Sequence, residues 1–409
     1  MEKIGVGIIG LGARGLFLMD TILACEEAEI VAICDSFQEK CEKGIEKVKQ
    51  QSKKIPAVYN SYEEMLQDKK VKFIVIASSW DDHIRQAIQA MRAGKIAAME
   101  VGGVYAIEEC WDLVRTYEET KSPFILLENC CFDHFELLST ALVRANKLGE
   151  IVHCHGAYSH DLREELLYAN HNYRLGNYVK RNAENYPTHE LGPIAKLLDI
   201  NRGNRMLSLV SLASKACGLE EYANLEKEGS CPFKGLKSKQ GDIVSTIITC
   251  ANGETITLTL DTTLPKHYSR EFTVRGTKGY CLQETNMVMI EGDGDLHEFP
   301  EPYDTVKKRL GNAEEYKKYL PSEWQNITKE ERELGHGGMD YIMFKRIFQC
   351  IIQGKELPID VYDAASWICI SILSEQSVAQ GGLVQSIPDF TKGKWLKRQR
   401  LDVMEFPNI

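Results

Sequence analysis

The segment that most constrains the fold lies near the start of the chain, where an apolar run at residues 4–9 leads into GLGARG at residues 10–15. A helical pattern follows at residues 16–25. Between a strand and a helix, the first glycine of GxGxxG makes a tight turn, the second admits a pyrophosphate and the third lets the helix pack closely. The helix N-terminus then offers free N–H groups to phosphates. This turn predicts a dinucleotide site formed by Gly10, Gly12, Ala13, Arg14 and Gly15.

An acidic residue completes this fingerprint. Asp35 follows the apolar residues 30–34, about 20 residues after the glycines. Its carboxylate is suited to accept hydrogen bonds from the adenosine ribose hydroxyls, and its charge would repel a 2′-phosphate. The next residues, Ser36-Phe37-Gln38, supply no arginine for such a phosphate. The pattern therefore favours NAD over NADP, against the alternative of a glycine turn without a ligand.

The first 130 residues alternate apolar runs with helical patterns, which predicts an α/β Rossmann domain over residues 1–130 with a parallel sheet covered on both faces. The predicted strands are residues 4–9, 30–34, 73–77, 96–100 and 124–128, and helices are predicted at 82–93 and 107–120.

Residues 131–409 have a different pattern and predict an α+β domain with an open antiparallel sheet, whose C-terminal segments could pack back on the first domain. The predicted strands are residues 244–250, 255–261, 271–275 and 279–283, with a hairpin turn at Asn252-Gly253. Residues 300–335 are polar and predict a surface insertion or lid. Helices are expected at 339–353 and 362–379.

Composition narrows the possible partners and compartment. The chain has 409 residues and a net charge of −10, so neither nucleic acid nor an anionic membrane is expected to bind it. The N-terminus lacks the layout of a cleavable signal. The 13 scattered cysteines contain no CxxC pair. Reduced thiols in a cytoplasmic protein, with no metal site, are the expectation.

Ligands of parallel sheets bind beyond the carboxyl ends of the strands. Side chains that follow strands of the first domain are therefore expected near the cofactor, although each could instead cap a turn or helix. These candidates are Ser78, Trp80, His83, Glu100 and Asn129.

Longer motifs carry a resemblance to a known family. They include GIIGLGARG (7–15), AMEVGG (98–103), HGAYSHDLR (155–163), YPTHELGP (186–193), GHGGMD (335–340) and PDFTKGKW (388–395). With these motifs the chain resembles the Gfo/Idh/MocA oxidoreductases over nearly its whole length. It is most similar to the branch that contains the NAD-dependent α-N-acetylgalactosaminidases.

The resemblance implies an enzyme with tightly held NAD, a sugar or glycoside substrate and assembly into homo-oligomers, a dimer or tetramer, through the outer face of the second sheet. In the glycosidase-like branch, a sugar carbon, usually C3, is oxidised, and the leaving group departs by elimination. Water then adds and the carbon is reduced again, so that NAD is recycled.

Several positions depart from the patterns of the family. Dehydrogenase members usually have Glu-Lys-Pro where this chain has Glu100-Val101-Gly102, and the glycosidase-like branch has Glu-Val-Pro. That branch often has glycine at Glu190, a tyrosine near Phe132 and a histidine near Asn177. Val101 cannot move protons, so other side chains must do so.

Tyr186 and His189 are the predicted catalytic residues. Oxidation of an alcohol needs a base within hydrogen-bond reach. Thr188 is a plausible N-cap, which would put His189 in the first turn of a helix, where the helix dipole favours a neutral imidazole. Tyr186 could relay the proton. On local sequence alone, a packed tyrosine and a histidine bonded to a carbonyl are the favoured interpretation, and the family resemblance reverses this preference.

Further side chains are candidates for the substrate, with plainer structural alternatives. His160 and Arg163 could bind sugar hydroxyls or form a salt-bridged loop. Tyr268 matches a substrate-contacting tyrosine of the branch or is an aromatic residue at a strand edge. His336 could line the pocket or begin a helix.

Three functions are compatible with the sequence: an NAD-dependent oxidoreductase acting on a sugar or glycoside at C3, a net glycoside hydrolase that recycles NAD, or a non-catalytic NAD-binding regulator.

Overall fold

The computed structural model describes residues 3–51, 54–169, 173–225, 232–292 and 307–407. The chain divides into two compact units. The first comprises Met1–His134, Pro321–Ile368 and Leu401–Glu405, and the second Phe135–Leu320, Cys369–Arg400 and Phe406–Ile409. Among the described residues, no helix combines the length and the apolar character needed to cross a bilayer.

The first unit contains a six-stranded parallel sheet in the order β3-β2-β1-β4-β5-β6. All residues of β1 and β4 are buried, as expected for strands covered on both faces. The short strand β3 was not predicted, because it has only three residues and is largely exposed. The bounds are β1 Ile4–Ile9, β2 Ala28–Cys34, β3 Ala57–Tyr59, β4 Phe73–Ile76, β5 Ile96–Met99 and β6 Phe124–Leu126.

The second unit contains an eight-stranded sheet in the order β13-β12-β11-β7-β10-β9-β8-β14. The bounds are β7 Ile151–Ser159, β8 Met206–Ala213, β9 Ile243–Cys250, β10 Thr255–Asp261, β11 Thr273–Gly276, β12 Gly279–Leu282, β13 Met287–Ile290 and β14 Gln385–Ser386. Buried residues alternate with more exposed ones along β9 and β10, so one face packs on the core and the other is open.

The prediction of a purely antiparallel second sheet was wrong in one respect. β10 runs parallel to β7, from Thr255 opposite His153 to Asp261 opposite Ser159, so the sheet is mixed. The chain leaves β7 and returns through β8 and β9, and this long connection allows a parallel neighbour. β11 also begins later than predicted, because Glu271 has a φ of 46°, which a strand does not accommodate.

Helices connect and flank these strands. Their bounds are α1 Ala13–Leu23, α2 Gln38–Gln51, α3 Tyr62–Gln67, α4 His83–Arg92, α5 Ile107–Thr120, α6 His134–Arg144, α7 Arg163–Tyr168, α8 Leu175–Lys180, α9 Pro187–Leu197, α10 Gly218–Ala223, α11 Ser322–Gln325, α12 Lys329–Arg332, α13 Met339–Gln353 and α14 Val361–Ala379. The predicted insertion at 300–335 lies outside the described residues up to 306. Beyond that point it contains a 3₁₀ helix, Asn312–Tyr319, and two short α-helices.

Candidate active site

The glycine turn has the geometry that the fingerprint requires. Gly10 has a φ of +88°, and a Cβ there would lie 2.4 Å from the backbone nitrogen of Ser78. A Cβ on Gly15 would lie 1.9 Å from the carbonyl oxygen of Gly10. At Gly12, by contrast, a Cβ would meet no atom within 4 Å. The first and third glycines are therefore required by packing, while the second leaves open space for a bound group.

Helix α1 begins at Ala13, three residues earlier than predicted, with Gly12 as its N-cap. No side chain caps the helix, so its first N–H groups remain available to a phosphate. Ala13 is exposed at this end. The early start follows from the extended backbone of Gly12 (φ −68°, ψ −172°), which is the usual conformation of an N-cap residue.

Asp35 lies beside the glycine turn, as predicted for the residue that binds the ribose. One carboxylate oxygen accepts from the N–H of Leu11 at 2.6 Å, and the other accepts from the N–H of Phe37 at 2.9 Å. Each oxygen has further lone-pair capacity. The carboxylate is thus oriented by the turn itself, and it can accept hydroxyl donors while disfavouring an added phosphate.

Arg14 is the centre of a partly buried polar network that the sequence did not reveal in full. Its guanidinium contacts Glu100 at 2.9 Å and Asp340 at 2.8 Å. Asp340 also accepts from the side-chain amide of Asn129 at 3.1 Å and contacts Nδ1 of His336 at 2.6 Å. The network joins three of the predicted cofactor residues and one predicted substrate residue through an aspartate that the sequence analysis missed.

The pKa of Asp340 reflects this environment. Burial acts to raise the pKa, but the charge of Arg14 and hydrogen bonds from His336 and Arg14 hold it at about 2. His336 also packs edge-on against Phe17 of helix α1, with ring centroids 5.0 Å apart. His336 is thus placed beside the nucleotide-binding turn of the first unit, and its side chain is 51% exposed.

The segment after β4 packs against Gly102 and Gly103. Trp80 is buried, and its indole lies 2.5 Å from the position of a Cβ on Gly102, whose φ is +81°. His83 is also buried, and its Nε2 lies 3.1 Å from the carbonyl oxygen of Ser78. Burial lowers the pKa of His83. A proline could not adopt the φ of +81° that Gly102 has here.

The second unit brings the predicted catalytic and substrate residues into one aromatic cluster. Tyr158, which was not predicted, stacks on Tyr186 with ring centroids 4.6 Å apart and lies 5.3 Å from His189. Tyr268 lies 6.1 Å from Tyr158 and 5.6 Å from His160. Strand β7 and the start of helix α9 supply most of these rings, because the helix packs on that strand.

Helix α9 begins differently from the prediction. Thr188 is not the N-cap: the helix starts at Pro187, a favourable first position, and Tyr186 is the cap residue without a side-chain cap bond. His189 still lies in the first turn. Burial raises the pKa of Tyr186 well above its ordinary value, although the charge of Arg174 opposes this shift. Tyr186 therefore carries its proton at neutral pH and can donate it.

Two arginines have different positions relative to the cluster. Arg163, a predicted substrate residue, forms a salt bridge with Asp161 at 2.7 Å, which is the structural alternative to sugar binding. Arg174 was not predicted, yet its guanidinium lies 5.5 Å from the ring centroid of Tyr186. It also contacts Glu165 at 2.8 Å. A positive charge thus lies over the predicted proton donor.

Tyr268 is 45% exposed. Its hydroxyl is held by the arginine of a buried ion pair. Arg270 donates to the Tyr268 hydroxyl at 3.0 Å and to Glu136 at 2.6 Å. Glu136 also accepts from the side-chain amide of Gln283 at 2.8 Å. The phenol is therefore held by a cation while its ring remains accessible to a ligand.

The open space at Gly12 leads to a prediction. Gly12→Val is expected to weaken NAD binding by at least about 100-fold, equivalent to about 2.8 kcal/mol, since the side chain would occupy the predicted pyrophosphate position. Its folding cost should be only about 1 kcal/mol, because valine is a poorer N-cap. Isothermal titration and thermal unfolding measure the two effects. Gly15→Val should instead unfold the protein, and an unchanged NAD affinity of Gly12→Val would contradict the placement.

Comparisons with known proteins identify two family domains along the chain. Residues 4–126 match the family described as "Oxidoreductase family, NAD-binding Rossmann fold", and residues 133–397 match "Glycosyl hydrolase 109, C-terminal domain". A solved NAD-binding oxidoreductase from Klebsiella pneumoniae is similar in fold, with a TM-score of 0.69 and 15% identity over 94% of this chain and 99% of its own. A myo-inositol dehydrogenase from Lactobacillus casei, solved with NAD(H) and myo-inositol, has a TM-score of 0.63 and 13% identity over 95% of this chain and 99% of its own.

Curated relatives are similar along the whole chain. An alpha-N-acetylgalactosaminidase from Tannerella forsythia is 37% identical over 96% of this chain and 87% of its own length. Another alpha-N-acetylgalactosaminidase, from Shewanella oneidensis, is 36% identical over 99% of this chain and 88% of its own. The chain is therefore an enzyme of glycosyl hydrolase family 109, with the NAD-binding Rossmann domain of the Gfo/Idh/MocA oxidoreductases.

Proposed function

We propose that this enzyme hydrolyses a glycoside by transient oxidation of the sugar at C3, so that NAD is recycled and the net reaction consumes only water. The observation that carries the proposal is the pairing of His189 with the buried, protonated Tyr186 at the start of helix α9, where their rings lie 16° from parallel. One side chain can accept a proton and the other can donate one, and oxidation followed by elimination needs both.

Bound NAD would accept two electrons from the sugar and later return them. The residues that fit it are the open backbone at Gly12, the free N-terminus of helix α1 and the carboxylate of Asp35. Glu100 and Asn129 orient the same region through their contacts with Arg14 and Asp340. The carboxylate at Asp35 disfavours a 2′-phosphate, so NAD is the expected dinucleotide.

The chain's own residues handle the protons. His189 is the proposed base for the hydroxyl proton at C3, since imidazole is the side chain that most often serves this role. Tyr186 is the proposed donor to the departing group. Arg174, over the Tyr186 ring, would favour the phenolate that forms when this proton leaves. Tyr268 and His160 offer an aromatic face and hydrogen-bonding groups for the sugar.

The proposed substrate is an α-linked N-acetylgalactosaminide, because relatives that share about a third of the sequence bear that name. A net dehydrogenase is the second candidate, and two positions favour it. Phe132 and Asn177 are buried where the glycosidase-like branch has a tyrosine and a histidine nearby. Fewer proton-transferring groups would hinder elimination more than oxidation.

A substrate screen tests these proposals. Purified enzyme would be incubated with p-nitrophenyl glycosides, beginning with the α-N-acetylgalactosaminide. Release of p-nitrophenol without consumption of added NAD supports net hydrolysis. Accumulation of NADH with a keto-sugar supports the dehydrogenase. The absence of both products across α- and β-linked glycosides and free sugars, from enzyme loaded with NAD, would contradict the proposed function.

We infer from the open sheet face that the enzyme forms a homo-oligomer, a dimer or tetramer. Leu212 and Ile247 project from that face and are 59% and 52% exposed, and Leu383 and Val384 of the neighbouring segment are 57% and 59% exposed. Light scattering should therefore give two or four times the mass of one chain. Leu212→Lys with Ile247→Lys should lower that mass, whereas a wild-type mass equal to one chain would refute the inference.

We also propose a cytoplasmic location. All cysteines among the described residues are free thiols, and all of these except Cys217 are buried. Such thiols persist in a reducing compartment. Fractionation of the source cells would test this, and recovery of the enzyme outside the cytoplasm would contradict it.

A further inference from the structure

Two glutamates bracket the proposed catalytic residues. Glu184 precedes Tyr186 by two positions, and Glu190 directly follows His189. Both side chains are buried, with 0% and 1% exposure. The glycosidase-like branch often has glycine at position 190, so the role of Glu190 has to be inferred from its contacts. The structure places it inside the second unit, where helix α9 packs on the sheet.

Backbone contacts fix the position of each carboxyl. Glu184 accepts from the N–H of Tyr186 at 3.2 Å, and Glu190 accepts from the N–H of Thr259 on strand β10 at 3.1 Å. Gly156 on strand β7 provides the space, because a Cβ there would lie 3.0 Å from Cβ of Glu190. Glu184 is thus tied to the start of helix α9, while Glu190 is tied to the sheet.

No N–H or O–H group of the described residues donates to the remaining carboxyl oxygens, Oε2 of Glu184 and Oε1 of Glu190, although both are buried. The two carboxyl groups lie within hydrogen-bonding reach of each other. A carboxyl can donate only when it is protonated, so the pair holds a proton between its two ends. The contact closes a loop of the chain from residue 184 to 190. Tyr186 and His189 both lie within this loop.

The surroundings keep that proton in place. Burial raises the pKa of both glutamates, and the negative charge of Glu184 raises the pKa of Glu190 further. The charged group that acts on Glu190 from outside the pair is Glu271, a third carboxylate, and Tyr178 is a titratable neighbour of Glu184. Among the residues that the structure describes, neither glutamate has a salt bridge.

We propose that Glu184 and Glu190 are positioning residues, whose shared proton closes the turn that aims Tyr186 and His189 at the substrate. Loss of the proton places two adjacent carboxylates in a buried site, and their repulsion opens the turn. Turnover therefore falls as the pH rises through the second ionisation of the pair. This inference rests on the proposed function of Tyr186 and His189, since it adds the group that holds them.

The test compares Glu190→Gln and Glu190→Ala with wild type, and uses Glu221→Gln, at an exposed position of the same unit, as the matched control. An amide at 190 keeps an N–H donor for Glu184 and an oxygen for Thr259, but it has no proton to lose. We expect Glu190→Gln to keep kcat at pH 7 within about threefold of wild type and to shift the alkaline limb of the profile upward by about one pH unit or more. Glu190→Ala should lower kcat by about tenfold or more, because a buried acceptor loses its donor.

Hydrogen–deuterium exchange provides a readout that does not depend on activity. At matched pH, the amides of residues 186–190 should exchange faster in Glu190→Ala, while Glu190→Gln and Glu221→Gln keep the protection of wild type. Infrared spectra at pH 7 should show a protonated carboxyl band in wild type that is lost in Glu190→Gln.

Three results would overturn the inference: absence of that band, equal protection in Glu190→Ala and wild type, or an alkaline limb that does not move in Glu190→Gln. Failure of the proposed function looks different. In that case wild type forms neither p-nitrophenol nor NADH, while the exchange and infrared differences between the variants persist.

Discussion

Replacement of His189 with alanine is expected to lower turnover by about 10²–10⁴-fold, the usual contribution of a general acid–base group. The imidazole is half-buried in the first turn of helix α9 and lies 5.3 Å from the ring of Tyr158. Tyr186 carries its proton, and the other imidazole of the cluster, His160, lies beside Tyr158 and Tyr268 rather than in the turn that holds Tyr186. Tyr186→Phe should reduce turnover less, since the oxidation step keeps its base.

The measurement follows both NADH formation in a single turnover and release of the aglycone. His267→Ala is the matched control, because its side chain is 76% exposed and it lies in the same unit as His189. NAD content should stay equal to wild type in both variants, since the glycine turn belongs to the other unit. A His189→Ala enzyme with wild-type turnover would refute the assignment of the base.

Local signals made the first unit predictable. The turn at Gly10, Gly12 and Gly15 depends on a few consecutive residues. Gly10 and Gly15 are packed as their spacing indicated, and Gly12 leaves open space. The five predicted strands of the parallel sheet are continuous apolar runs, so their bounds agree with the structure to within a few residues. The helical pattern alone gave too late a start for helix α1, because the first helical residues, Ala13 and Arg14, are not apolar.

Contacts between distant segments were not predictable in the same way. Asp340 meets Arg14 across 326 positions of sequence, and nothing near Asp340 indicates a cation there. Its place in GHGGMD was the available signal, since the glycines before it permit an unusual backbone: His336 has a φ of 44° and Gly338 a φ of 100°. Likewise, the sequence shows Glu190 only as a departure from the glycine of the branch. Its burial and its contact with Thr259 on the sheet depend on long-range packing.

Loss of the Asp340 carboxylate should destabilise the first unit strongly. Its side chain is fully buried, and it accepts hydrogen bonds from Arg14, Asn129 and His336. Removal of one partner of a buried ion pair typically costs 3–5 kcal/mol, because the other charge is left behind. Arg14 keeps its contact with Glu100, and its side chain is 25% exposed. We therefore expect Asp340→Asn to destabilise the enzyme by about 3 kcal/mol, near the low end of that range.

The pH dependence of the free energy of unfolding tests the same prediction in a second way. Because the pKa of Asp340 is held at about 2, its contribution is present above the ordinary aspartate pKa of about 3.9 and is lost as the pH falls towards 2. Wild type should thus lose stability over this window, and Asp340→Asn should lose less. Asp20→Asn is the matched control, since Asp20 pairs with Lys47 at an exposed site and should cost about 1 kcal/mol or less. Urea unfolding at pH 7 and pH 3 distinguishes the two variants. Equal destabilisation of both would show that the network around Arg14 does not stabilise the nucleotide-binding unit.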